Sequence, residues 1–184
     1  MRVISGSARG HILRVPKGVY VRPATDLVRG AIFSMLESMN ADFSRVLDLY
    51  AGSGAMGIEA LSRGAGRVDF VDREPRCCAI IKQNLDRTGL GARARVYCCS
   101  VTRALTFLEG EYGIVLMDPP YADSSIGNVI AQLARSPLVT EDSVIIVTHS
   151  PRLTLEPSYE ALTLSRELRH GDSCIAVFRK DGGV

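Results

Sequence analysis

Residues 46–59, Val-Leu-Asp-Leu-Tyr-Ala-Gly-Ser-Gly-Ala-Met-Gly-Ile-Glu, restrict the fold more than any other stretch, because an apolar run breaks into glycines and resumes as a helix-forming sequence. Gly52, Gly54 and Gly57 spell G-x-G-x-x-G, a turn whose left-handed backbone and close ligand approach both favour a missing Cβ. The following helix N-terminus offers unpaired N–H groups to a carboxylate or phosphate. Asp72 stands twenty residues past Gly52 and closes the run 67–71, where an acid accepts hydrogen bonds from ribose hydroxyls. Strand, loop, helix, strand and acid in that order predict a nucleotide-cofactor site on a mostly parallel α/β sheet.

The second constellation is Asp118-Pro119-Pro120-Tyr121, directly after the apolar run 112–117. The prolines end the strand by removing backbone donors and fixing φ. A carboxylate, an imide carbonyl and an aromatic ring then share one strand end. Such a corner suits an exocyclic amine on a nucleobase: Asp118 and the Pro119 carbonyl each accept one N–H, which aims the nitrogen lone pair, while Tyr121 stacks on the flipped base.

The glycine fingerprint alone does not choose between nicotinamide dinucleotides and S-adenosylmethionine. Asp48, inside the first strand, is placed for a cationic ammonium and gives a pyrophosphate nothing. In a doubly wound sheet the first and fourth strands are neighbours, about 5 Å apart. A sulfonium methyl and an amine would therefore meet at their carboxyl ends.

On these residues the chain resembles the RsmD-type methyltransferases, which methylate the 2-amino group of a guanine in bacterial 16S ribosomal RNA. The resemblance covers nearly the whole chain: Asp48-Leu49-Tyr50-Ala51-Gly52-Ser53-Gly54, the Asp118–Tyr121 corner, and an N-terminal segment with Gly6, Gly10, Arg22-Pro23, Thr25-Asp26 and Arg29. It implies a class I methyltransferase fold, Rossmann-like with a mostly parallel seven-stranded sheet, and S-adenosylmethionine as donor. It also implies assembled or partly assembled small-subunit RNA as substrate. Apart from the resemblance, the expected enzyme is a cytoplasmic monomer that needs no metal. Asp48, Tyr50, Ala51, Gly52, Ser53, Gly54, Asp72 and Ser100 are then the expected cofactor contacts, and Asp118, Pro119, Pro120 and Tyr121 the catalytic ones. Three departures stand out: Asp72 where the family often carries Glu, Cys99-Ser100-Val101 where Asp or Asn is common, and Thr148-His149 where an acid is common.

Charge adds a partner. The chain is only +2 overall, but residues 1–29 hold six basic side chains against one acid. Such an arm suits RNA phosphates, with Arg9, Arg22 and Arg29 as the expected contacts. No run of eighteen apolar residues and no apolar leader core occurs, which predicts neither a membrane span nor a secretory signal. Five cysteines without C-x-x-C spacing predict buried reduced thiols rather than disulfides or zinc.

The predicted plan is one domain over 1–184, with a basic hairpin in 1–24 (runs 3–5 and 11–15) before a catalytic core from 25 to 184. A helix capped by Thr25 runs to about residue 39, with Leu27, Ala31, Ile32, Met35 and Leu36 on its apolar face. Strands at 45–50, 67–72, 94–98, 112–117 and 143–148 alternate with helices from 55, 75, 102 and near 125–134. A closing hairpin pairs 162–167 with 174–179. Rival readings are an adenine-N6 DNA methyltransferase, a nicotinamide dehydrogenase, and a non-catalytic RNA-binding assembly factor on the same fold.

Overall fold

The computed structural model describes residues 1–16, 25–121 and 123–180. Five parallel strands carry the site: β1 (Arg45–Leu49), β2 (Arg67–Asp72), β3 (Ala94–Cys98), β4 (Ile114–Met117) and β5 (Val144–His149). β6 (Ser158–Tyr159), β7 (Leu162–His170) and β8 (Ser173–Lys180) continue the sheet antiparallel, in the order β3-β2-β1-β4-β5-β8-β7-β6. The strand order reverses between β1 and β4, the crevice where doubly wound sheets bind ligands. Among the described residues the sheet has eight strands rather than seven. The extra one, β6, is two residues long, too short to leave a periodic signal.

Alternation along each strand splits the core into two layers. Val46, Phe70, Leu116 and Ile146 pack with α1 (Asp26–Ser38), α2 (Ala55–Ser62) and α3 (Pro75–Thr88). Leu47, Leu49, Val115 and Met117 pack on the other face with α4 (Val101–Phe107) and α5 (Ile126–Arg135). All eight residues of α2 are buried, because the N-terminal segment lies over it with Val3, Ala8 and Leu13 in the same core. That segment forms a short hairpin as expected, through an Arg2–Ile12 bridge flanked by Val3 N–H to the His11 carbonyl, Leu13 N–H to that of Met1 and Gly10 N–H to that of Val3, at 3.0, 3.0 and 2.9 Å. Donors in its connecting stretch turn to α2: Ile4 and Ser5 N–H reach the Glu59 carboxylate at 2.8 and 3.0 Å, and Ala8 N–H reaches Ser62 Oγ at 2.9 Å. Gly6, at φ 83, sits so close to α2 that a Cβ would fall 1.8 Å from the Ser62 carbonyl oxygen.

Local signals set most boundaries. Thr25 Oγ1 accepts the Val28 N–H and starts α1. α4 begins at Val101, one residue early, because the Ser100 hydroxyl caps it. β4 begins only at Ile114, since Tyr112 N–H goes to the Leu138 carbonyl at 2.9 Å. The buried face of α1 is Val28, Arg29, Ile32, Phe33, Met35 and Leu36, whereas Leu27, expected inside, is 71% exposed. Cys77, Cys78 and Cys174 are buried as expected, but Cys98 is exposed and Cys99 half-buried, and all five are free. Burial pushes the Cys77 thiol up to about 11 and Cys78 up to about 12, far from thiolate chemistry. Among the described residues no helix is long and apolar enough to cross a membrane.

Candidate active site

The glycine turn leaves β1 at Leu49 and reverses sharply. Tyr50, Gly52 and Gly54 adopt left-handed φ of 60, 57 and 78, and Ala51 N–H bonds the Val71 carbonyl at 3.0 Å while Gly54 N–H bonds that of Ala51 at 2.7 Å. Two acids hold the turn. Asp72, at the end of β2, accepts Gly52 N–H on Oδ2 at 2.8 Å and Glu74 N–H on Oδ1 at 2.9 Å. Asp48, 1% exposed, accepts Gly57 N–H on Oδ2 at 2.8 Å, capping the first turn of α2 from inside the sheet. The sequence placed Asp48 against an ammonium group; in the structure its Oδ2 holds the loop from beneath.

Asn84 on α3 completes the support and was not anticipated. Fully buried, it donates to the Ser53 carbonyl and to the Arg14 carbonyl at 2.9 Å each, and accepts Arg14 N–H at 2.8 Å. One side chain thus ties the glycine turn to the N-terminal segment. No local pattern signals it, since its partners lie 31 and 70 residues away.

The proline corner stands beside the glycine turn at the same sheet edge. Leu49 pairs with Met117 at the end of the β1–β4 ladder, and Asp118 N–H points at the Leu49 carbonyl at 3.5 Å. Asp118 is half-buried, Pro119 buried and Pro120 exposed, with the Pro120 carbonyl closing a turn to Asp123 N–H at 2.8 Å. The Thr148 hydroxyl donates to Asp118 Oδ1, and the half-buried Tyr121 shares a 2.5 Å hydrogen bond with Ser173.

Three carboxylates therefore converge on the carboxyl ends of β1, β2 and β4. The Asp48 carboxyl is pushed up to about 8: burial dominates, the Gly57 N–H opposes it, and Asp118 and Asp72 add like charge. Burial, with the Asp123 charge, likewise raises Tyr50 to about 12 and keeps it a neutral phenol. A cationic ligand relieves this field; a pyrophosphate aggravates it. The donor set thus fits S-adenosylmethionine, with its ammonium and sulfonium, and not a dinucleotide. Asp72 keeps lone pairs for a ribose beyond its two backbone donors. Ser100, at the exit of β3, spends its hydroxyl on the Arg103 N–H at 3.3 Å. Among the described residues no group of three or more His, Cys, Asp or Glu is arranged for a metal ion.

The basic arm divides. Arg9 is exposed and borders a surface cleft with Arg2, Gly10 and Asp26. Arg22 lies outside the described residues. Arg29 is a correction: it is wholly buried, bonding the Arg2 carbonyl at 2.6 Å and Asp26 at 2.8 Å, and its Nε and Nη1 have no partner among the described residues. No phosphate reaches it there.

A family model described as conserved hypothetical protein 95 matches residues 1–179. A Bacillus subtilis (strain 168) protein, YlbH, named as a candidate rRNA methyltransferase, is 36% identical over 99% of this chain and 100% of its own length. Ribosomal RNA small subunit methyltransferase D of Escherichia coli (strain K12) is 29% identical over 98% of this chain and 90% of its own. The solved structure of an Escherichia coli protein, yhhF, titled as a candidate methyltransferase, superposes with a TM-score of 0.82 at 29% identity, covering 100% of this chain and 99% of that one.

Proposed function

The chain belongs to the conserved hypothetical protein 95 family, that of the RsmD-type ribosomal RNA methyltransferases, and on that premise we propose that it methylates the 2-amino group of a guanine in small-subunit 16S ribosomal RNA. S-adenosylmethionine is the donor and, when bound, supplies an electrophilic methyl on a sulfonium. The observation that carries the proposal is the adjacency of the Leu49 and Met117 strand ends. It sets the cofactor turn beside the amine-holding corner. There Asp118 and the Pro119 carbonyl accept the two amine protons, Tyr121 stacks on the flipped base, and Pro120 fixes the turn between them. Tyr50, Ala51, Gly52, Ser53 and Gly54 line the donor, Asp72 takes its ribose, and the β3 exit at Ser100 borders its adenine. Asp48 acts from below, by shaping the loop and by its charge.

The same corner suits the 6-amino group of adenine, so substrate decides between the two. Incubating the purified protein with methyl-labelled donor and either 30S particles, naked 16S RNA or duplex DNA is expected to label RNA as N2-methylguanosine. Label in DNA as N6-methyldeoxyadenosine would replace this proposal with its rival.

Asp48 predicts a pH dependence. A carboxyl raised to about 8 is neutral at pH 7 in the empty protein, and a cation favours its ionised form. Cofactor binding is therefore expected to release a proton below about pH 8 and to tighten as pH rises toward that value. Calorimetry in buffers of different ionisation enthalpy reads the proton directly; in Asp48→Asn the release should vanish. Without ligand the sign reverses for folding, since a raised carboxyl makes the native state lose stability as pH climbs from the ordinary carboxylate range toward 8.

The two arginines separate by role. Arg9→Ala is expected to weaken RNA binding by a few-fold at moderate salt and to lower the salt slope by about one, with unfolding unchanged. Arg29→Ala should instead lower the melting temperature, because it removes the tie between α1 and the Arg2 carbonyl and empties a buried site. Salt titrations and thermal melts of both variants check the division.

A further inference from the structure

The proline corner is held from the antiparallel side of the sheet, by groups that neither motif contains. β5 runs beside β4 with Val147 opposite Met117, so Thr148 stands level with Asp118, one step past the last pair. Thr148 is 1% exposed. Its hydroxyl donates to Asp118 Oδ1 and lies 3.4 Å from the Met117 carbonyl. The next residue, His149, is pinned in turn, with Nε2 2.9 Å from Glu167 Oε1 on β7 and Nδ1 3.0 Å from the Ser150 carbonyl. The first residue of β8, Ser173, holds the Tyr121 hydroxyl.

Resting on the assignment of Asp118 as an acceptor for the amine, we infer that Thr148 is a positioning residue of the methyl transfer, fixing the plane of the Asp118 carboxylate. A carboxylate rotates broadly about its terminal torsion, and each orientation presents its lone pairs differently to the amine. β-Branching restricts χ1, and at 1% exposure Thr148 is packed on every side, so its hydroxyl is a well-fixed donor. Bound to it, Asp118 is already oriented before substrate enters. The gain appears where alignment matters, in the chemical step, and not in the affinity of either substrate.

The experiment compares Thr148→Val, Thr148→Ser and Asp118→Ala with the parent, using 30S particles and labelled donor, with active sites counted by S-adenosylhomocysteine titration. Valine keeps the shape of threonine and removes the donor. Thr148→Val is expected to lower kcat by roughly ten- to a hundredfold with KM for both substrates unchanged, while Thr148→Ser restores kcat to within about threefold of the parent. Thr148→Ala, which deletes the same hydroxyl, is measured beside it in case valine fails to fold. If the hydroxyl-free variants turn over like the parent while Asp118→Ala is inactive, Thr148 has no positioning role and the Asp118 assignment stands. If Asp118→Ala itself turns over normally, the assignment falls and the inference with it. A fall that serine does not rescue, or one that appears in KM, also overturns it.

Discussion

Replacing Asp118 by alanine is expected to lower methyl transfer at saturating substrates by about a thousandfold, with S-adenosylhomocysteine still bound. The size follows from what the residue does at the corner. An aromatic amine donates its lone pair to the ring and is a poor nucleophile. Two acceptors held in fixed directions pull its protons out of the ring plane and localise that pair. Deleting the charged acceptor leaves the Pro119 carbonyl alone, and the corner loses both preorganised charge and alignment. Donor binding persists because the turn depends on Asp48, Asp72 and Asn84, whose bonds do not pass through Asp118. Asp118→Asn keeps an oxygen acceptor without the charge and should fall between parent and alanine. Single-turnover assays beside calorimetry check both halves; an alanine variant with near-parent turnover removes Asp118 from the reaction.

The second large effect concerns Gly57→Ala. In an exposed helix alanine is worth about 1 kcal/mol over glycine, which alone predicts a stabilised protein. Here the new Cβ falls 2.3 Å from Phe70 Cε1 and 2.9 Å from Asp48 Oδ2, inside a core where Phe70 and Asp48 are 0 and 1% exposed. Overpacking of this kind costs about 3 kcal/mol, so the clash wins by about 2 kcal/mol, or roughly 5 °C in melting temperature for a chain of this size. The same methyl drives Asp48 off the Gly57 N–H and disturbs the turn. Affinity for S-adenosylmethionine is therefore expected to drop at least about tenfold. Thermal melts and calorimetry test the pair of outcomes, and a variant as stable and as tight as the parent would contradict the packing described here.

Both motifs were legible because each is written in consecutive residues. Glycines mark the turn, prolines mark the strand end, and each follows a continuous apolar run that reads as a buried parallel strand. Legibility ended where contacts leap along the chain. Thr148 was seen only as a departure from an expected acid, since nothing in 144–149 says that its hydroxyl meets residue 118. Asn84 reads as one polar residue among several on α3, yet it joins the turn to a segment 70 positions upstream.

Arg29 is the instructive error. Counting charges in residues 1–29 treats every arginine as solvent-facing. Helical spacing carried the opposite signal, because 29, 32, 33 and 36 follow the i, i+3, i+4, i+7 pattern of one face and Ile32, Phe33 and Leu36 are its core. The N-terminal hairpin is present but shorter than drawn. Runs at 3–5 and 11–15 suggested mutual pairing; Val3 and Leu13 keep it, whereas the Ile4, Ser5 and Ala8 N–H groups go to Glu59 and Ser62 on α2.

The central claim is spatial: the carboxyl ends of β1 and β4 form one site, donor on the first and amine acceptors on the second. A crystal structure with S-adenosylhomocysteine bound tests it most directly. The account predicts the ligand in the turn 50–54, its ribose on Asp72, and its sulfur facing Asp118 and the Pro119 carbonyl across about one strand spacing, ~5 Å. A sulfur turned toward α3, or a ligand on another edge of the sheet, would contradict it.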